Sequence, residues 1–205
     1  TVNYIITASD TYGFNNDTGQ KQVTVTDIME PSITDNTLGS TGTGNQFIFN
    51  ASASDNIIIS TVVVTYWFGS NTETVETMSQ MGSSDFYEYS LIIPTDSLDL
   101  LHYNISATDA ATNEDKTITT DVSIIDDDNP ILSDVNSIVY GSYVNVTCNA
   151  TDNIALNDVR VNITNPDDSF ENVSMILLEN NNYYYNATRS TGTYTFIIYA
   201  VDSSG

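Results

Sequence analysis

Apolar and polar residues alternate through most of this chain with the two-residue period of a half-buried strand. Over residues 46–53, Phe47, Phe49, Ala51 and Ala53 share one face. Over 61–68 the same face carries Val62, Val64, Tyr66 and Phe68, and over 101–107 it carries Tyr103, Ile105 and Ala107. A weaker run covers 72–78, another covers 86–93 and stops at Pro94, and 116–124 closes the set. A short strand near 32–34 brings the count to about seven. Farther along, Val144, Val146, Cys148 and Ala150 alternate inward. Val159, Val161 and Ile163 follow, then Met175 and Leu177, the Tyr183-Tyr184-Tyr185 run and residues 193–200. Residues 2–8 and 21–26 read as two further strands. No segment carries a helical period.

The pattern repeats. Asp27-Ile28-Met29-Glu30-Pro31 returns as Asp126-Asp127-Asp128-Asn129-Pro130 at an offset of 99, and Ala53-Ser54-Asp55-Asn56 returns as Ala150-Thr151-Asp152-Asn153 at an offset of 97. Ala8-Ser9-Asp10 returns as Ala107-Thr108-Asp109 and again as Ala200-Val201-Asp202. About seven short strands per repeat, with turn signals between them, predict an all-β chain of tandem immunoglobulin-like sandwiches, each about 97–99 residues, joined by short acidic linkers. The boundaries expected are 1–27, the last two strands of a partial repeat; 28–126, a complete repeat; and 127–205, a repeat lacking its last strand. Such a cut leads to the expectation of a longer polypeptide, or of copies that complete one another by strand complementation.

Composition narrows the chemistry. Twenty-seven acidic residues face four basic ones, for a formal charge of −23. Nucleic acid and anionic membranes are poor partners for such a chain, whereas cations are natural ones. No stretch is apolar for long enough to span a membrane. Few lysines, many hydroxyl side chains and abundant asparagine suit an extracellular or cell-surface protein. Cys148 is the single cysteine and falls in an inward strand phase, which suits a small core residue. His102 is the single histidine and falls in an outward phase. No nucleophile–histidine pair, phosphate loop or zinc spacing can be built, so no enzyme is expected.

The recurring acids have a geometric logic. In an immunoglobulin-like sandwich, the second-to-third strand loop, the end of the sixth strand and the incoming linker meet at one pole. In the middle repeat this gathers Asp27, Glu30, Asp55, Asn56 and Asp109. In the third it gathers Asp126, Asp127, Asp128, Asn129, Asp152, Asn153 and Asp202, with Asp96 and Asp99 approaching from the far pole of the middle repeat. Calcium takes 6–8 oxygen ligands in adaptable geometry and suits such sets. Asp and Asn also favour turns for local hydrogen bonding alone, and that reading stands beside the first.

On these residues the chain resembles the cadherin family: Asp126-Asp127-Asp128-Asn129-Pro130 is similar to its inter-domain linker, and Ala107-Thr108-Asp109 to its Ala-x-Asp. The resemblance implies calcium-rigidified junctions, with Asp55 and Asp152 as the loop aspartates. The family's Asp-Arg-Glu is missing, with only Asp96 and Asp99 nearby, and the first linker has fewer acids. Pro31-Ser32-Ile33, Thr151-Asp152-Asn153, Thr193-Tyr194-Thr195-Phe196 and Ala200-Val201-Asp202 are closer to cadherin-like and immunoglobulin-like repeats in tandem on archaeal and bacterial surface proteins. Asn-x-Ser/Thr acceptors stand at Asn16, Asn50, Asn104, Asn145, Asn149, Asn162, Asn172 and Asn186, and five of them (50, 104, 145, 149, 162) fall in outward phases. The expected function is a structural subunit of an extracellular filament, stalk or surface layer, with calcium at the junctions, possible glycans, and copies or further repeats of itself as partners. The alternative is an adhesin or carbohydrate-binding stalk using Tyr183–Tyr185 or Tyr66-Trp67.

Overall fold

A computed structural model describes residues 1–204, and every regular element in them is a β-strand. The N-terminal segment holds β1 (Val2–Tyr4), β2 (Thr7–Ser9), β3 (Asn15–Asp17) and β4 (Lys21–Val23). β1 pairs antiparallel with β4, and β2 with β3. The runs expected at 2–8 and 21–26 are therefore shorter and broken, because both faces lie in solvent and no second sheet packs on them.

The middle sandwich comprises β5 (Ser32–Asp35), β6 (Ser40–Gly42), β7 (Gln46–Ser54), β8 (Ile59–Phe68), β9 (Thr74–Thr77), β10 (Ser79–Gln80), β11 (Phe86–Ile92), β12 (Leu101–Asp109), β13 (Glu114–Lys116) and β14 (Thr120–Ile125). One sheet runs β10-β11-β7-β5; the other runs β6-β14-β12-β8-β9, with β13 beside β12. All pairs are antiparallel except β6 with β14. The alternation of the sequence becomes the core: Phe47, Phe49, Ala51 and Ala53 from one sheet meet Val62, Val64, Leu101, Tyr103, Ile105, Ala107, Val122 and Ile124 from the other. Phe49 lies at the centre, 5.1 Å from Phe47, 5.7 Å from Tyr66 and 5.0 Å from Tyr103 between ring centroids. The Tyr103 hydroxyl donates to Asp35 at 2.6 Å. Burial first, and then this bond, push the Tyr103 phenol up to about 12.

The third sandwich comprises β15 (Ile131–Tyr140), β16 (Tyr143–Thr151), β17 (Leu156–Thr164), β18 (Phe170–Ser174), β19 (Ile176–Leu177), β20 (Asn182–Thr188) and β21 (Thr195–Asp202). Its sheets run β15-β16-β20-β19 and β18-β17-β21. Cross-strand partners repeat between the two sandwiches: Ala107 faces Val62, and Ala200 faces Val159. Val146, Cys148, Ala150, Val159, Val161, Ile163 and Met175 form the core.

Several sequence expectations shift. The closing run 116–124 is two strands, because at Thr117 the side-chain hydroxyl, rather than a backbone carbonyl, accepts from the Ile105 amide (2.9 Å) and Ile118 turns out to solvent. The count rises above seven because the first strand divides between the sheets as β5 and β6, and β10 and β13 are short additions. Leu177 is exposed although Met175 is buried: Met175 sits where the chain leaves β17's sheet, and Leu177 follows on an edge strand of the other. His102 is half-buried, stacked on Trp67 at 5.3 Å and bonded to Asp121 at 2.6 Å. Asn104 is 5% exposed. Its phase is outward, but β12 is flanked by β8 on one edge and by β13 and β14 on the other, and a short side chain there is shielded.

Candidate metal centres at the domain junctions

Each junction gathers three carboxylates from three separate segments. Asp27 comes from the chain after β4, Asp55 follows β7 and Asp109 ends β12. One repeat later, Asp126 follows β14, Asp152 follows β16 and Asp202 ends β21. Within each triad one carboxylate oxygen per residue lies within 4.8 Å of the others. That is the span between opposite oxygens around an ion held at about 2.4 Å.

Turn chemistry aims these groups. Asp152 Oδ2 accepts from the amides of Ile154 and Ala155, both at 3.0 Å, which leaves Oδ1 for the triad. Asp126 Oδ1 accepts from the Asp128 amide at 3.4 Å, and Asp202 Oδ1 from the Ser204 amide and hydroxyl at 2.9 Å. In the first junction Asp55 Oδ2 accepts from Ile57 at 2.7 Å, and Asp109 Oδ1 from Ala111 and Asn113 at 2.8 Å each. The Asn113 amide also donates to Asp109 Oδ2 at 2.7 Å. Desolvation pushes the Asp109 carboxyl up, but these bonds outweigh it and hold the group below the usual carboxylate range.

The second junction adds a further sign. Among the described residues, Asp126 Oδ2, Asp152 Oδ1 and Asn153 Oδ1 are fully buried and have no hydrogen-bond partner. Asp126 itself is 6% exposed. Buried oxygens normally find a donor. Two of these acceptors belong to residues of the carboxylate triad, a setting that a cation would satisfy. The two arginines are engaged elsewhere: Arg160 pairs with Asp158, and Arg189 with Glu171.

The linker locks this junction from the other side. Asp127 Oδ2 accepts from the Asn45 amide at 2.8 Å, and Asp128 Oδ2 from the Thr43 hydroxyl at 3.1 Å. Asn153 donates to the Thr95 carbonyl at 2.8 Å and to Thr43 at 3.2 Å. A Cβ on Gly42 would lie 2.2 Å from the Asp127 carboxylate, so glycine permits this approach. The first junction is looser: the Asn56 side-chain amide donates to the Asp55 carboxylate at 3.0 Å, and the Asn113 side-chain amide reaches the Asp27 carbonyl only at 3.5 Å.

The structure thus brings six of the expected ligands into two triads, whereas Asn153, next in sequence to Asp152, is tied to Thr43 and Thr95. Asp127 and Asp128 turn instead to the middle sandwich. Glu30, Asn56, Asn129, Asp96 and Asp99 are exposed, and the three acids among them join neither triad. Asp99 packs near Gly69, and the 95–99 loop reaches the junction through the Thr95 carbonyl alone. Sequence reasoning missed Thr43 and Asn45, which carry no motif, and brought the 95–99 loop to the junction for its acids rather than for the Thr95 carbonyl.

No protein-family model matches the chain. No curated protein matches it in sequence. Solved structures similar in fold include the Clostridium thermocellum CbhA fibronectin(III)-like modules, with 12% identity, 84% of this chain and 87% of that one covered, and a TM-score of 0.35. The chicken CNTN1 FN1-FN3 domains are similar at 12% identity, covering 99% of this chain and 71% of that one, with a TM-score of 0.37. A tetra-tandem repeat in the extending region of a large adhesion protein is 18% identical, covering 99% of this chain and 53% of that one, with a TM-score of 0.40. At TM-scores below 0.5 these likenesses add nothing to the sheet order and register, on which the assignment of immunoglobulin-like sandwiches rests.

Proposed function

We propose that this chain is a structural segment of an extracellular filament, stalk or surface layer, built of cadherin-like sandwiches whose junctions are stiffened by bound calcium. The observation that carries the reading is that two residues of the second carboxylate triad, Asp126 and Asp152, each hold a buried oxygen with no donor among the described residues. Three carboxylates at 4.8 Å repel one another by about 3 kcal/mol per pair at an effective dielectric near 20. A divalent ion reverses that sign and ties the linker to both loops of the following sandwich. Calcium suits a set of several protein oxygens better than magnesium, because it accepts irregular coordination whereas magnesium demands near-octahedral geometry and keeps several of its waters. The role is mechanical, with no catalytic step. Of the aromatics named for an adhesin, Tyr66 stacks on Phe49, Trp67 on His102, and Tyr183 and Tyr185 pack against the third core. Glycans, if attached, belong at exposed acceptors such as Asn16, Asn162, Asn172 and Asn186.

Small-angle scattering of the 205-residue chain tests the mechanical reading. With millimolar calcium the two sandwiches are expected to scatter as one elongated rigid body. With chelator the curves are expected to require a distribution of inter-domain angles. Superimposable curves in the two conditions would refute calcium stiffening.

A further inference from the structure

We propose that Thr43 is a positioning residue for the cation site of the second junction, so that calcium affinity there depends on the docking of the third sandwich onto the middle one. The inference rests on the calcium reading above and assigns a role to a residue outside the triad. Thr43 lies in the turn between β6 and β7 and is 2% exposed. Its amide donates to the Ile125 carbonyl at the end of β14 at 2.9 Å, which anchors it in the middle sandwich. The rest of the turn is tied down as well. The Gly44 amide donates to the Pro94 carbonyl at 3.4 Å, and the Asn45 carbonyl accepts from the Ile93 amide at 2.9 Å.

A hydroxyl both donates and accepts, and Thr43 uses both capacities across the junction. It donates to Asp128 Oδ2 at 3.1 Å and accepts from the Asn153 side-chain amide at 3.2 Å. Each partner is coupled to a triad residue. Asp128 donates its backbone amide to Asp126 Oδ1 at 3.4 Å. Asn153 directly follows Asp152, whose Oδ2 accepts from the Ile154 and Ala155 amides. One buried oxygen of the middle sandwich thereby pins the linker that carries Asp126 and the loop that carries Asp152.

The Asn153 amide is fixed a second time. Its Nδ2 also donates to the Thr95 carbonyl at 2.8 Å, so both of its protons are spent on the middle sandwich. Asn45 adds a parallel hold on the linker, donating to Asp127 Oδ2 at 2.8 Å. Hydrogen-bond partners that orient ligands from outside the coordination sphere are worth about 10–100-fold in metal affinity. Linkage makes the effect reciprocal: whatever factor the docked contact adds to calcium affinity, calcium adds to docking.

The first linker lacks this device, because Ile28 and Met29 stand where Asp127 and Asp128 stand. Thr43 is also remote from the first triad. It precedes β7 and Asp55 follows it, and nine strand residues span about 30 Å. The first junction therefore serves as an internal control.

Calcium titration of the isotope-labelled 205-residue chain by NMR tests the proposal at fixed ionic strength. The Ile154 and Ala155 amides report the second junction, and the Ile57 amide, which donates to Asp55, reports the first. Thr43→Val keeps the shape of the side chain and removes both bonds of the hydroxyl. It is expected to raise Kd at the second junction about 10–100-fold and to leave the first unchanged. Thr43→Ser restores the hydroxyl and is expected to bring Kd back to the wild-type value. An unchanged Kd at the second junction in Thr43→Val overturns the positioning role while leaving the calcium reading intact. Equal weakening at both junctions overturns it as well, since that is general destabilisation, and so does a Thr43→Ser chain that binds no better than Thr43→Val. A wild-type chain whose Ile154 and Ala155 amides do not respond to calcium overturns the calcium reading itself, and this proposal with it.

Discussion

Chelation of calcium is expected to destabilise the third sandwich more than the middle one. In the second junction three carboxylates lie within 4.8 Å, and Asp126 Oδ2, Asp152 Oδ1 and Asn153 Oδ1 are buried without donors. Sites of this kind on extracellular modules hold calcium with Kd of about 10⁻⁴–10⁻³ M. At ~10 mM calcium, an ion bound only by the folded state therefore contributes about 1.4–2.7 kcal/mol. For a sandwich of ~100 residues each kcal/mol moves Tm by about 4–8 °C, so the shift is roughly 6–20 °C. Differential scanning calorimetry in calcium, magnesium and chelator measures it. Sodium chloride at matched ionic strength separates the site from general screening of 27 acids, since screening grows gradually and a site saturates. Asp152→Asn is expected to remove most of the calcium-dependent shift while leaving a folded protein, because the amide still accepts from Ile154 and Ala155. An identical Tm in calcium and chelator, or an undiminished shift in Asp152→Asn, refutes the reasoning.

Phe49→Ala removes the central ring of the middle core and is expected to cost about 3–5 kcal/mol, read as a lower denaturant midpoint for that sandwich alone. Glu171 is held below the usual carboxylate range by hydrogen bonds from Arg189 first and Asn165 second. A depressed folded pKa gives stability that is present above the unfolded value and lost as pH falls through the folded one, so acidification is expected to weaken the third sandwich and Glu171→Gln to flatten that dependence in acid titrations followed by circular dichroism. After expression in a glycosylating host, peptide mapping is expected to find Asn104 unmodified, because it is buried in the folded middle sandwich.

The strands legible in the sequence were those whose alternation is enforced by a core. β7, β16 and β17 alternate buried and less buried residues along much of their length, β8 does so at Val62 and Val64, and β12 keeps its apolar residues in alternate positions although Asn104 and Ser106 between them are buried too. What escaped depends on neighbours rather than on phase. Asn104 points outward yet is covered by the strands flanking β12, and Leu177 lies exposed because the chain changes sheets after Met175. Residues 117–119 look like strand but break, because the Thr117 hydroxyl takes the place of a carbonyl. Of the junction acids, the two triads were legible because strand ends fix their position one repeat apart. Asp96 and Asp99 were not separable from them, since loop proximity says nothing about where a carboxylate points. Thr43, Asn45 and Thr95 contact the linker or Asn153 through local geometry that leaves no spacing in the sequence.

A crystal grown in calcium, with anomalous scattering measured to locate the ions, tests the junction most directly. The account predicts a peak bonded to Asp126 Oδ2 and Asp152 Oδ1 at about 2.4 Å, with Asp202 and Asn153 completing the protein ligands, and a weaker peak among Asp27, Asp55 and Asp109. Well-ordered carboxylates at the second junction with only water among them, at calcium concentrations far above a millimolar, would contradict it.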